Sequence, residues 1–564
     1  MLGYLVAGVA VTARLWRHLD RMVLTDNDQI LFEWMLARAA QAVRHLDNPL
    51  YSSHLNAPDG VNLMANTSVL GLGIPLAPLT WAFGPTVTLR LIIVLALAGT
   101  AAAWYLLLSR RLVSSRGAAA VGGLFCGFAP GMISQATCHL HMISQFVVPA
   151  IIAVALPSAD GRTVRRGLLL GLLVAYQVFL GEEVLAFLVL ALGVFCLAYL
   201  AARPGAVRRA GPLLGRLAVA APTAGVLLAY PLWFQFRGPG SYQGMPFSTA
   251  NFALDVASYT SMSRQAITGS DAVPGLLSPN LSEESSFFGL SLIVLAAVVV
   301  VWQWRRPLVR ALAATAVVFA ALSLGTEIRF EHRDTGIPGP YRLVSELPVL
   351  DLVVPSRLAL ICVPVLAILL AISLDTVYRL PRLAGGGALP VRLLWTGAVV
   401  AVLLPLVPTP LRSKPAWPVP DFVASGQWRS YVPPGRTLVA VPPTSGGEAT
   451  NGMYWSARTG LAFTTPGGYF IGPTGPADRQ ARWGAPDRPT AVLLDRVAFT
   501  GDIPAVGPEQ RAEAVDDLRY WRAAVVVQGG LTRGAPVKET LDRLLGPGRF
   551  IAGAWVWDVR PLTG

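Results

Sequence analysis

Lysine is almost absent from this chain. Of 564 residues only Lys414 and Lys538 are lysines, and charged residues of every kind make up 14%. A water-soluble domain carries about a quarter charged residues, so this balance excludes an ordinary soluble enzyme and points to lipid as solvent. Cysteine is scarce as well. Cys126, Cys138, Cys196 and Cys362 lie in or at the edge of apolar blocks, and the last third has none, which excludes a disulfide framework there. No P-loop, dinucleotide fingerprint, zinc-ligand spacing or Gly-x-Ser-x-Gly elbow is present. No small-residue cleavage site follows the first apolar block, which is therefore expected to be an anchor.

What the chain has is apolar residue: 54%, gathered in uninterrupted blocks with no strand or one-sided helix period. The blocks run at about 2–16, 89–108, 117–134, 143–157, 167–181, 184–202, 214–235, 287–304, 308–324, 357–377 and 391–408, an expectation of about eleven transmembrane helices. The first is short and contains Arg14. The formal charge of +13 would suggest nucleic acid in a soluble protein. Here the arginines sit in short loops that read SRRLVSSR, ADGRTVRR, ARPGAVRR, QWRRPLVR and YRLPRL, where they set topology and offer no exposed basic face. No nucleic-acid partner is expected; the partner is the bilayer. The positive-inside rule puts those loops in the cytoplasm. An odd number of spans then leaves the N-terminus inside and residues 409–564 outside, with Arg14, Arg17 and Arg21 as the dissent. The expected location is the plasma (inner) membrane.

Between the first two blocks, residues 17–88 hold an amphipathic helix at about 28–45, suited to lying on the membrane surface. The tail at 409–564 alternates strand-like TLVAVPP, AAVVVQ and FIAGAWVW with helix-like PEQRAEAVDDLRYWRA and PVKETLDRLL, the pattern of a small α/β domain. The expected architecture is thus an α-helical polytopic module over 1–408 followed by an extracytoplasmic α/β domain.

Several ionisable groups sit at the expected outer ends of the spans. Asp26 and Asp28, two residues apart, can share a metal or divide the work of base and orienting group; equally, an Asp there can cap the helix that follows. His139 and His141, in CHLHM, do not share a helix face by spacing, yet at a helix end both can enter a cavity; the alternative is a pair of interface anchors. Glu182 and Glu183, in LGEEVL, lie at the same level, with simple exposure as the competing reading. With the Asp pair these residues offer a polar pocket or a site for a divalent cation (Mg, Mn or Ca) held by Asp26, Asp28 and His139. Arg357 opens the tenth span from the outside, against the charge rule, and needs an anionic partner: a lipid phosphate or a glutamate. Arg17 has snorkelling to headgroups as its ordinary role. The tail's GGYF (467–470), Trp455, Trp555 and Trp557 suit either a sugar face or, more simply, a small core.

A first span, an acid at the start of an amphipathic helix, then Asn-Pro and Ala-Pro-Asp-Gly stretches resemble the first outer loop of GT-C glycosyltransferases. More narrowly, NDQILFEWMLARAAQAVRHLDNPL, APDGVNLMANTS and LAPLTWAFGP resemble an actinobacterial group of that class. The resemblance implies an inverting glycosyltransferase that moves a sugar from a polyprenyl-phosphate donor to a glycan, lipid or protein acceptor of the cell envelope. It implies Asp28 as the base, because Asp28 precedes Trp34 by six residues, the spacing of the family's loop acid; Asp26 completes an Asp-x-Asp form. By the same analogy Arg357, and less so Arg17, hold donor phosphate. Glu283 with Glu284, in SEESSFFGL, resembles an acid-then-aromatic-Gly motif of the group, against a solvated loop as the plain reading. A lipid or glycan transporter and a non-catalytic scaffold of the same fold compete with the enzyme. Transporters show internal repeats, none of which is evident here.

Overall fold

An apolar block in lipid has no water to satisfy its amides, so it folds as helix. Each of the eleven blocks does so in the computed structural model, which describes residues 1–157, 162–380, 388–443, 447–448, 450–475 and 477–564. Parts of the loops ADGRTVRR and YRLPRL lie outside the described residues. The chain opens with α1 (Leu2–Val11) and continues through α2 (Asp26–His45), α3 (Ala77–Arg111), α4 (Arg116–Gln135) and α5 (Leu140–Ala155). There follow α6 (Thr163–Leu180), α7 (Glu182–Ala202), α8 (Gly211–Arg237), α9 (Leu290–Trp302), α10 (Pro307–Leu322), α11 (Pro355–Tyr378) and α12 (Leu389–Leu406). Seven of them, α3, α4, α6, α7, α8, α11 and α12, are long and apolar enough to cross a membrane; α1, α5, α9 and α10 are shorter apolar helices. The fold is mostly helical, with lipid-type helices as its body.

The helix α2 departs from the surface-lying expectation. Gln29, Ile30, Phe32, Glu33, Trp34, Met35, Leu36 and Ala37 are all buried, which covers every side of it. The reason is a partner on each face: α3 packs on one, and on the other lies α13 (Asn451–Arg458) from the tail. A surface helix would leave its polar face wet; here that face is inside protein.

After a two-stranded tie between β1 (Arg21–Val23) and β2 (Ser413–Pro415), TLVAVPP forms β3 (Thr437–Ala440) and AAVVVQ forms β4 (Ala523–Gln528), while FIAGAWVW is two strands, β5 (Arg549–Ile551) and β6 (Ala554–Asp558), folded back on each other. The sheet order is β5-β6-β4-β3, with β3 parallel to β4 and the other pairs antiparallel. Successive side chains of a strand point to opposite faces. Leu438, Ala440, Val525 and Val527 therefore join a core with Ile30, Trp34 and Met35 of α2. Val439, Val441 and Val526 face the other way, onto Leu494, Leu518, Val537 and Leu541 of the tail helices Pro489–Thr500, Pro508–Tyr520 and Gly534–Leu545. One face of the tail sheet is thus glued to the helix that begins with the acidic pair.

Candidate functional site

A cavity of about 480 Å³ opens at the first turn of α2, lined by Asp28, Phe32, His139, His141, Glu182, Glu183, Glu283, Arg357, Tyr469 and Trp483 among others. The N-cap of α2 is Thr25, and its hydroxyl makes no cap bond: it donates to the carbonyl of Thr137. The capping role for an Asp is thereby set aside, and both carboxylates stand in the first turn, where the helix dipole favours them. The same Thr25–Thr137 bond ties α2 to the segment carrying the histidines. Cys138, buried and held at φ 115°, turns the chain there so that His139 follows directly into the site.

The two acids part company. Asp28 faces the cavity, with Oδ2 3.5 Å from His139 Nε2 and Oδ1 accepting from the Tyr469 hydroxyl at 3.3 Å. Asp26 does not line it: its Oδ2 lies 2.6 Å from Lys414 Nζ and accepts from Trp417 Nε1 at 2.8 Å, so it anchors the start of the tail. Burial pushes the Asp28 carboxyl up. The hydrogen bond and charge of His139, the Arg357 charge and the Tyr469 bond together outweigh it and hold Asp28 below the usual aspartate range. Asp28 is consequently an ionised acceptor at neutral pH.

His139 has its tautomer fixed from behind. Gln135 Nε2 donates to the carbonyl of Ser282 at 2.8 Å, which leaves Gln135 Oε1 facing His139 Nδ1 at 2.6 Å. Nδ1 must then carry the proton, and Nε2 faces the Asp28 carboxylate. His141 stands 5.6 Å away, ring centre to ring centre, with Nε2 3.6 Å from Glu183 Oε2. Its Nδ1 and Glu183 Oε1 are buried without a hydrogen-bond partner. The approach depends on Gly181, whose added Cβ would meet His141 Cβ at 2.9 Å and its carbonyl oxygen at 3.0 Å.

Arg357 finds its anion within the protein. Nη1 donates to Glu183 Oε2 at 2.8 Å, and Nε and Nη2 lie 2.9 and 2.8 Å from Glu283 Oε1. Ser356 Oγ donates to Glu283 Oε2 at 2.6 Å. The solvated-loop reading of Glu283 and Glu284 gives way here, since both are only 1% exposed. Glu284 takes Arg264 and Ser263 as partners. Glu182 lies at the cavity edge with Oε2 accepting from Gln235 at 2.9 Å. Arg17 is exposed and does not line the cavity.

Glu183 and Glu283 thus share a single guanidinium, whose charge also reaches Asp28. Among the described residues, no group of three or more His, Cys, Asp or Glu side chains is assembled to hold a metal ion. Asp26 is absent from the cavity, so the three-ligand set Asp26, Asp28 and His139 is not brought together.

The aromatic wall was the least legible part of the site. Trp483 lies between Tyr469, at 5.1 Å and 8°, and Phe247, at 6.1 Å and 15°. Asn66 and Tyr242 extend the same wall. The doubled glycine before Tyr469 was the one sequence signal, because two adjacent glycines mark a backbone that must pass close to something. Trp455 and Trp557 are core, at 1% and 3% exposure.

The family described as Domain of unknown function (DUF6311) matches residues 1–348. No curated protein matches the sequence. Among solved structures, the arabinofuranosyltransferase AftD from Mycobacteria superposes with a TM-score of 0.51 at 15% identity, covering 99% of this chain and 39% of that one. The chain therefore spans about two-fifths of the length of that relative. The archaeal oligosaccharyltransferase AglB from Archaeoglobus fulgidus, in complex with an inhibitory peptide and a dolichol-phosphate, gives 0.45 at 13% identity, covering 94% of this chain and 68% of that one. The likeness to AftD is one of overall fold.

Proposed function

The chain belongs to the DUF6311 family, and we propose that it is an inverting glycosyltransferase of the GT-C type. It would move a sugar from a polyprenyl-phosphate donor to a hydroxyl of a cell-envelope acceptor at the outer face of the plasma membrane. The observation that carries this reading is Asp28: an ionised carboxylate, oriented from both oxygens, in a cavity walled by the ends of apolar helices.

Each group has work suited to its chemistry. Asp28 takes the proton of the acceptor hydroxyl, and the freed oxygen bonds to the anomeric carbon from the face opposite the phosphate. The bond from that carbon to the phosphate oxygen breaks, and the lipid phosphate leaves with the electron pair. Charge grows on the leaving phosphate, so cationic donors aimed at it lower the barrier. Arg357 supplies them with the N–H groups it does not spend on Glu183 and Glu283, beside His141 and its unpartnered Nδ1. His139 holds Asp28 in place. Glu182, with Gln235 and Asn66, offers acceptors and donors to sugar hydroxyls at the cavity edge. Arabinofuranosyl is the first donor to try, after the AftD likeness.

The test is a transfer assay in detergent with radiolabelled polyprenyl-phosphate sugars and a cell-envelope glycan extract. Wild type is expected to label the extract, and folded Asp28→Asn to lose at least about a hundredfold in rate, the scale of a general base. Wild-type transfer by Asp28→Asn removes the base from the mechanism. Movement of the labelled lipid across a vesicle bilayer without transfer would favour a transporter.

A further inference from the structure

The tail is tied to the site at one point that the reaction above does not use. Residues 464–471 run beside the first outer loop and are laced to it on both sides of Tyr469. Thr465 N donates to His54 O, Ala57 N to Thr465 O and Asn56 N to Gly467 O, at 3.0 to 3.2 Å. Beyond the tyrosine, Ile471 N donates to Asn66 Oδ1 at 2.8 Å, and Asn66 Nδ2 returns a bond to Ile471 O at 2.9 Å. Between these ties Gly467 and Gly468 take φ of +70° and +131°, and Gly468 lies so close to Leu55 that an added Cβ would meet its Cδ1 at 2.5 Å. The turn turns Tyr469 into the cavity. Its ring is stacked flat on Trp483, and its hydroxyl reaches Asp28 Oδ1.

We infer that Tyr469, carried by the C-terminal region, is a positioning residue for the Asp28 base, so that the catalytic site is completed only when the tail docks on the first loop. This rests on the reading of Asp28 as the base. The ladder of backbone bonds on both sides fixes the phenol's height, and the Trp483 stack fixes its plane. The phenol can only donate to Asp28 while it keeps its proton. Burial first, then the neighbouring Asp28 charge, pushes its titration well above the ordinary tyrosine range, so it remains a neutral donor. The groups facing Asp28 are His139 and Cys138 from the histidine segment, Arg357 from α11 and Tyr469 from the tail. Three of the four lower its titration. Removing the tyrosine hydroxyl takes away one lowering partner and leaves burial in place, so the Asp28 titration moves up. The low-pH limb of activity, where the base becomes protonated, then moves to higher pH.

The experiment compares wild type, Tyr469→Phe and Asp28→Asn in the full-length protein, with the donor and acceptor that wild type turns over. A hydrogen bond to a charged group accounts for about ten- to a hundredfold. Tyr469→Phe is expected to lose that much in kcat, with donor KM within about twofold and the acid limb displaced upward. A Phe ring that only fills a core would leave both the rate and the limb at wild-type values, which overturns the inference. Should Tyr469→Phe fail to fold, 3-fluorotyrosine at 469 keeps the ring and makes the hydroxyl a stronger donor. The limb then moves to lower pH, and an unmoved limb again overturns it. If Asp28→Asn is dead while Tyr469→Phe is normal, only this inference falls. If Asp28→Asn transfers normally, the base itself falls and this inference with it.

Discussion

Arg357 shows how much one side chain can be asked to do. Its guanidinium is 15% exposed and sits between Glu183 and Glu283, the latter 1% exposed. Removing one member of such a set leaves buried charge unanswered, which costs about 3–5 kcal/mol. Arg357→Ala is therefore expected to unfold well below wild type in a thermal melt in detergent. Combining it with Glu183→Gln and Glu283→Gln should restore most of the melting temperature, because the like charges go with the cation. The combined variant should still not transfer sugar, since nothing cationic faces the leaving phosphate. A triple variant that transfers at the wild-type rate would make Arg357 purely structural. The sequence pointed to Arg357 because a guanidinium at that depth must have a partner. It could not say which, because the two glutamates lie 174 and 74 positions away along the chain.

At the scale of elements, the short turn at 467–468 decides where Tyr469 goes. Gly468→Ala forces a side chain into Leu55 on a backbone that L residues rarely adopt, a strain of about 1–3 kcal/mol. The expected result is a loss of transfer out of proportion to the loss of stability, because the turn that aims the phenol must shift. Gly435→Ala is the control: φ is +80° there too, and nothing lies within 4 Å of the added Cβ. It should cost stability and leave the transfer rate alone. Equal effects from the two variants would mean that the turn carries no positional information. The same scale explains the misreading of α2. Its polar face looked ready for water or headgroups because a helical period shows which side is polar, not what lies against it.

For the whole molecule, the sheet of the tail and the helices of the body share one core around Trp34 and Leu55, and Asp26 clasps Lys414 and Trp417 beside it. The tail and the Asp28 cavity are therefore on the same side of the membrane, whichever side that is. Under the arginine-loop topology it is the outside. The exposed Ser425 tests this: with Ser425→Cys, a membrane-impermeant maleimide should label intact cells. Three native cysteines are buried, and Cys196 lies within α7, so a Cys196→Ser background removes the one exposed thiol. Labelling only after lysis would invert the topology and put the cavity in the cytoplasm.

Whatever depends on neighbours along the chain could be read from composition and residue order. Lipid as solvent, the places of eleven apolar helices, the strands and helices of the tail, and the acid at the start of α2 all follow from composition, period and local spacing. Those are properties of a few consecutive residues. Tertiary structure alone decided what depends on distant segments meeting. It separated Asp28 from Asp26, brought His139 and His141 into the same cavity despite their spacing, and buried Glu283 and Glu284 that a polar stretch had suggested were wet. It also moved Tyr469 from a presumed core to the wall beside Asp28. The physical reason is the same in each case: a side chain's partner is set by which element packs against it, and no local pattern carries that information.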